Sequence, residues 1–269
     1  MRRINSASVE IAVRDEGDGP AVLLLHGFPD SSALWRHQVP ALTGAGFRAV
    51  APDLRGFGAS GRPEALEDYG LAGSVRDLVA VLDALRIERA HVVGHDWGAG
   101  VAWAFAAFIP DRVERLVAMS VGHPALRAQR PVAAREKAWY QLAFQFDEAE
   151  ELFSRDDWKL MREWMASHPE LDERIAALSQ PGAFTAGLNW YRANLHPRRE
   201  FDARVVPPVS ADTLGIWSTG DAFLLEEQMV RSQELVLGTW RYERIEGASH
   251  WMQLDAPDRV NELLLGFLS

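Results

Sequence analysis

The chain contains no cysteine, which excludes a disulfide scaffold, a thiolate nucleophile and any thiolate metal site. That absence fits a reducing compartment, and a cytoplasmic location is the expectation. Lysine is nearly missing as well. Lys137 and Lys159 are the only two among 28 basic side chains, a bias that a GC-rich bacterial genome would encode. Basic clusters are also lacking. With a net charge of −10 the chain has no face for nucleic acid and little attraction for an anionic membrane surface. The longest apolar run, Gly98 to Ile109, is too short to span a bilayer. No apolar stretch follows Met1-Arg2-Arg3, so no signal peptide is expected. No His, Asp and Glu group has metal-ligand spacing, and no G-x-G-x-x-G opens a helix. Neither a metal nor another cofactor is expected.

What is present is ordinary for a globular enzyme-sized chain: 269 residues, 48% hydrophobic and 25% charged. Short apolar runs at Val9–Val13, Ala21–Leu25, Arg48–Ala51, His91–Val93 and Arg115–Met119 read as strands. Several are apolar at successive positions, as strands covered on both faces must be. Helical stretches such as Ser74–Leu85 and Gly98–Phe108 lie between them. Alternation of this kind predicts an α/β fold with a mostly parallel sheet wrapped by helices.

The pattern changes after Gly122. From His123 to about Val209 only amphipathic helical patterns occur, at Val132–Phe146, Ala149–Ala166 and Leu171–Ser179, then up to Asn189-Trp190-Tyr191-Arg192. Pro207-Pro208 closes the stretch. Strands resume at Leu214–Ser218 and Trp240–Ile245, and a terminal helix spans Pro257–Leu268. The economical division is a core of residues 1–122 and 210–269 carrying a helical insertion, or cap, at 123–209.

The stretch His91-Val92-Val93-Gly94-His95-Asp96-Trp97-Gly98 carries a strand into a glycine and a helix out of another. Asp96 stands where the G-x-S-x-G nucleophile elbow places serine, at the sheet edge where such folds bind ligands. Taken alone, Asp96 could equally be a helix N-cap. Three further segments weigh against that. His26-Gly27-Phe28-Pro29 follows a strand, where an oxyanion loop belongs, so the backbone N–H groups of Phe28 and Trp97 could point at one oxygen. Asp221 follows the strand Leu214–Ser218, and His250 follows Trp240–Ile245. Singly, Asp221 could be a turn residue and His250 a buried core histidine. The order nucleophile, acid, histidine is that of α/β-hydrolases.

An aspartate nucleophile selects the chemistry. Attack on an acyl carbon would give an anhydride, whereas attack on a saturated carbon with a leaving group gives an alkyl ester. Water activated by His250 can then hydrolyse that ester, with Asp221 orienting the imidazole. The residue set predicts hydrolysis of a carbon electrophile.

On the motifs His26-Gly27-Phe28-Pro29, Gly94-His95-Asp96-Trp97-Gly98-Ala99 and Gly247-Ala248-Ser249-His250-Trp251, the chain resembles α/β-hydrolase-fold epoxide hydrolases of the soluble type over nearly its whole length. That resemblance implies a small apolar epoxide and water as substrates. It also implies two cap tyrosines that protonate the epoxide oxygen. Trp139-Tyr140-Gln141 and Asn189-Trp190-Tyr191-Arg192 match the segments that carry them, which assigns Tyr140 and Tyr191; both could instead be core residues of amphipathic helices. Haloalkane dehalogenases share the first two motifs, and a dehalogenase with the same triad is the alternative. Phe28, however, offers no side-chain donor to a halide, and Trp97 stands where fluoroacetate dehalogenases place an arginine. A ligand-binding receptor with a silent site is the alternative outside enzymes. His95 and His123 are assigned to core packing, His168 and His196 to loops, and Trp139, Phe144, Phe146 and Phe184 to the interior of the cap.

Overall fold

The strands that read as apolar at every position lie at the centre of the sheet. In a computed structural model, which describes residues 1–196 and 206–269, eight strands form one sheet: β1 (Arg2–Ser6), β2 (Val9–Glu16), β3 (Ala21–Leu25), β4 (Arg48–Pro52), β5 (Ala90–His95), β6 (Val113–Met119), β7 (Asp212–Gly220) and β8 (Trp240–Ser249). Their spatial order is β1-β2-β4-β3-β5-β6-β7-β8. The β1/β2 and β2/β4 pairs are antiparallel, and every later pair is parallel. All residues of β3 and β5 are buried, as helices on both faces require. In β1, by contrast, only Ile4 is buried, and this single apolar position at the sheet edge left no strand signature.

Helices α1 (Gln38–Gly44), α2 (Leu71–Ala84) and α3 (Trp97–Phe108) connect the first six strands. Alanine and glycine dominate α3, and ten of its twelve residues are buried, so it lies close against the sheet. Between β6 and β7 the described residues contain no strand, only helices: α4 (Val132–Lys137), α5 (Trp139–Ala143), α6 (Ala149–Trp164), α7 (Leu171–Leu178) and α8 (Ala183–Leu195), with 3-10 turns. Residues 197–205, which fall in the stretch predicted helical up to about 209, lie outside the described residues. The chain ends with α9 (Glu226–Arg231), α10 (Met252–Asp255) and α11 (Pro257–Leu268).

The helical stretch departs from its periodic reading twice. Val132–Phe146 is not one helix: Ala138, at φ −89° and ψ 19°, separates α4 from α5. Trp139 and Phe146 are therefore 42% and 63% exposed, where burial is expected, while Phe144 is fully buried. In α6 the residues Arg155–Trp158 leave helical geometry, and Asp156, Asp157 and Trp158 have positive φ. Aspartate tolerates that region better than most residues, and the break sets the Trp158 ring 5.0 Å from that of Phe184. Among the described residues no helix is long and apolar enough to cross a membrane, and no group of three or more His, Asp or Glu could hold a metal.

Candidate active site

β5 ends at His95 and α3 begins at Trp97, so Asp96 makes the whole turn alone, at φ 53° and ψ −120°. A non-glycine residue there is strained, and surrounding contacts must hold it. Close backbone crossing does so. A Cβ on Gly94 would collide with the Gly98 carbonyl, and one on Gly98 with the carbonyl of Leu25 in β3. The Asp96 N–H donates to the Met119 carbonyl at 3.4 Å, and the Asp96 carbonyl accepts from the Ala99 and Gly100 N–H groups as the helix starts. The side chain is thereby raised above the C-terminal edge of the sheet.

Three loops converge on it. The turn after β3 brings the Phe28 N–H to Asp96 Oδ1 at 2.9 Å. Gly27 permits this approach, because a Cβ there would strike the Asp96 carboxylate. Trp97 N belongs to the first turn of α3, whose amides lack helical partners. After β8, His250 Nε2 lies 3.7 Å from Asp96 Oδ2, an ion-pair distance too long for a hydrogen bond. After β7, Asp221 Oδ2 meets His250 Nδ1 at 2.8 Å, and its Oδ1 accepts from the Phe223 and Leu224 N–H groups at 2.8 and 2.9 Å. That turn fixes the carboxylate before the histidine arrives.

The electrostatics follow from burial between two acids. Desolvation opposes an imidazolium at His250, but Asp221 and then Asp96 outweigh it and push its pKa up to about 10. Burial also opposes the charge on Asp221, yet the imidazolium and the two backbone donors hold its carboxyl below the usual range. His95 is fully buried beside them, with its ring 4.6 Å from that of His250 and its Nε2 2.9 Å from the His250 carbonyl oxygen. Burial chiefly, then the neighbouring imidazole, lower its pKa to about 4, so it is a neutral donor to that carbonyl. Ser120 Oγ reaches the same oxygen at 3.4 Å.

The helical stretch covers this triad with aromatic rings. Tyr140 of α5 and Tyr191 of α8 are both buried, with ring centroids 5.9 Å apart. Burial first, then the negative charge of Asp96, raises both phenols, so each stays protonated well beyond neutral pH. The Trp97 indole N–H, which closes no regular hydrogen bond, faces Tyr191 and weakly offsets that rise. The structure thus brings together Asp96, His250, Asp221, Phe28, Trp97, Tyr140 and Tyr191. It also adds residues that the sequence does not single out. Trp164, at the end of α6, stacks 4.5 Å from Tyr140, and Phe223 sits 5.2 Å from His250. The position of His95 directly before Asp96 was the available signal for its place beside His250. Trp164 had none, being one aromatic residue on an amphipathic helix.

The family described as alpha/beta hydrolase fold matches residues 20–257. Epoxide hydrolase A of Mycobacterium tuberculosis is 35% identical over 100% of this chain and 97% of its own length. Epoxide hydrolase 3 of Xenopus tropicalis is 34% identical over 99% of this chain and 76% of its own. Among solved structures, an epoxide hydrolase of Bacillus megaterium in complex with an inhibitor superposes with a TM-score of 0.88 at 26% identity, covering 99% of each chain. Epoxide hydrolase A from Mycobacterium thermoresistibile gives 0.81 at 31%, covering 99% of this chain and 97% of that one. With the family matched from β3 through β8 and relatives matched along the whole chain, this protein belongs to the epoxide hydrolases of the α/β-hydrolase fold.

Proposed function

We propose that this epoxide hydrolase opens a small apolar epoxide through a covalent ester on Asp96. One observation carries the reading: a strained carboxylate has a backbone donor on one oxygen, an Asp-paired histidine facing the other, and two protonated phenols near by. Asp96 Oδ2 attacks an epoxide carbon while Oδ1 stays on the Phe28 N–H. The carbon–oxygen bond breaks, and Tyr140 or Tyr191 gives its proton to the departing alkoxide, a far stronger base than a phenolate. Esterification removes one of the two carboxylate charges that hold the proton on His250. The imidazolium then acidifies and reprotonates the tyrosinate, which leaves His250 neutral with Nδ1–H directed at Asp221.

Water bound at Nε2 now gives its proton to His250 as its oxygen attacks the Asp96 carbonyl carbon. The developing oxyanion is Oδ1, already held by the Phe28 N–H, with the Trp97 N–H of the first helical turn as the second expected donor, a kind of contact worth about 3 kcal/mol per donor. Collapse releases the diol, which takes its last proton from the newly formed Asp96 carboxyl group. Asp96, His250 and both tyrosines return to their starting protonation. No step requires a cofactor. The helices between β6 and β7, taken as a cap over 123–209, exclude bulk water from this sequence. A cysteine-free chain suits such chemistry in the cytoplasm.

Intact mass measurement of His250→Ala after exposure to styrene oxide tests the scheme. Without its base the enzyme should stall, with a mass gain equal to the whole epoxide on the peptide holding Asp96. A gain on another peptide, or none, sinks the nucleophile assignment. A 1-haloalkane that instead leaves its alkyl group there would shift the same triad to dehalogenation.

A further inference from the structure

Asp30 lies outside the catalytic residues yet is buried, with 1% of its side chain exposed. The residue touches three parts of the molecule, one through its backbone and two through its carboxylate. Its backbone N–H closes the turn that carries Phe28 by donating to the Gly27 carbonyl at 2.9 Å. Oδ2 accepts from the indole N–H of Trp251 at 3.0 Å. Oδ1 lies 3.4 Å from both His168 Nε2 and Arg174 Nη1, on the helical insertion. His168 Nδ1 accepts from the Glu170 N–H at 2.9 Å, which leaves Nε2 as the ring's N–H, on the side of Asp30. The sequence marks His168 only as a loop residue, but its side chain is fully buried, with its ring 4.2 Å from that of Trp251. The seam continues outward: Glu170 pairs with Arg36 of the core and lies 4.0 Å from Arg174.

Trp251 follows His250 directly. Its ring lies 5.1 Å from the imidazole and 5.6 Å from Phe223, the residue whose N–H holds Asp221. Asp30 thus holds the oxyanion turn through its backbone N–H, and the base-bearing turn and the cap through its buried carboxylate, which fixes all three relative to one another.

We propose that Asp30 is a positioning residue through which the closed cap, by way of His168 and Arg174, sets the placement of His250 and of the Phe28 N–H. The proposal rests on the ester mechanism above, because that mechanism says which step must suffer. Ring opening uses Asp96 and the tyrosines. Ester hydrolysis uses His250 and the oxyanion donors, the two groups that Asp30 registers. Loss of the Asp30 charge should therefore slow hydrolysis more than ring opening.

The test is a single-turnover and steady-state comparison with styrene oxide, reading ester occupancy by intact mass and folded fraction by thermal unfolding. Asp30→Asn should lower the hydrolysis rate per folded molecule about ten-fold or more, as expected for a buried charged hydrogen-bonding group, and the ester should accumulate. Arg174→Met and His168→Phe, distant from the reacting atoms, should shift occupancy in the same direction by less. Trp251→Phe keeps an aromatic ring at the position and loses the N–H, and should behave likewise. The double variant Asp30→Asn/Arg174→Met should cost less than the two singles summed, since they act through one contact. Wild-type ester occupancy with unchanged turnover per folded molecule would overturn the proposal, as would equal slowing of both steps. Absence of any adduct in His250→Ala would instead remove the ester mechanism itself, so the two failures are told apart.

Discussion

At the scale of single residues, the site works by placing charges whose burial would be prohibitive alone. His250 sits between Asp221 and Asp96, and each carboxylate makes the imidazolium affordable where desolvation alone would not. This has a consequence for stability against pH. The folded pKa of about 10 lies above the ordinary 6.5, so the stability contributed by His250 is complete below about pH 6.5 and is lost as the pH rises through 10. Thermal unfolding of wild type and His250→Gln between pH 6 and 10 should show their difference in Tm narrowing with pH. A constant gap would mean that His250 is neutral in the folded enzyme. The tyrosines give a second residue-scale expectation. Each of Tyr140→Phe and Tyr191→Phe should slow ring opening about a hundred-fold in single-turnover measurements, within the range for a positioned general acid. Because burial and Asp96 raise both phenols, the wild-type ring-opening rate should hold up to an ordinary phenol pKa of about 10. A double variant with unchanged rate would reduce both rings to packing.

At the scale of elements, the motifs were legible because they depend on neighbours in the chain. Gly94 and Gly98 flank Asp96 since the strand and helix must cross without side chains between them, and that spacing is visible in sequence. Gly27 belongs to the same logic, although what it approaches is 69 residues away. Gly27→Ala would put a methyl group against the Asp96 carboxylate and displace the Phe28 donor. We expect a destabilisation of about 2 kcal/mol or more in urea unfolding, with loss of turnover. Unaltered stability and activity would show that the turn can move aside. The parallel strands were legible for a related reason: burial on both faces leaves an unbroken apolar run, as in β3 and β5. The helical stretch between β6 and β7 was less so. Periodicity locates apolar faces but not the breaks at Ala138 and at Arg155–Trp158, which are set by where the aromatic rings lodge. Trp139 and Phe146 were therefore assigned to the interior and proved exposed.

At the scale of the whole molecule, nothing local could show what joins the helical insertion to the sheet, because the hydrogen bonds that tie α8 to the core pair residues more than a hundred positions apart. α8 does much of this. Trp190 is fully buried and donates its indole N–H to the Arg55 carbonyl at 3.0 Å, while Arg55 itself is held by a buried two-pronged pair with Asp77. One turn on, Asn194 uses its whole amide. Oδ1 accepts from Leu71 N at the start of α2 at 3.0 Å, and Nδ2 donates to the carbonyls of Tyr69 and Trp190 at 2.9 Å each. Tyr191 lies between these anchors, so they fix the height of its hydroxyl above Asp96. Asn194→Leu removes three hydrogen bonds and leaves backbone groups without partners, a cost of about 2–3 kcal/mol at about 1 kcal/mol each. If α8 is a rigid strut, this variant should also lose ring-opening rate in proportion well beyond its loss of folded molecules, and amide exchange should quicken along α8 while β5 and β6 stay protected. If activity per folded molecule is unchanged, Tyr191 is held by its aromatic neighbours alone, and the anchoring of α8 to the core serves stability and not the acid.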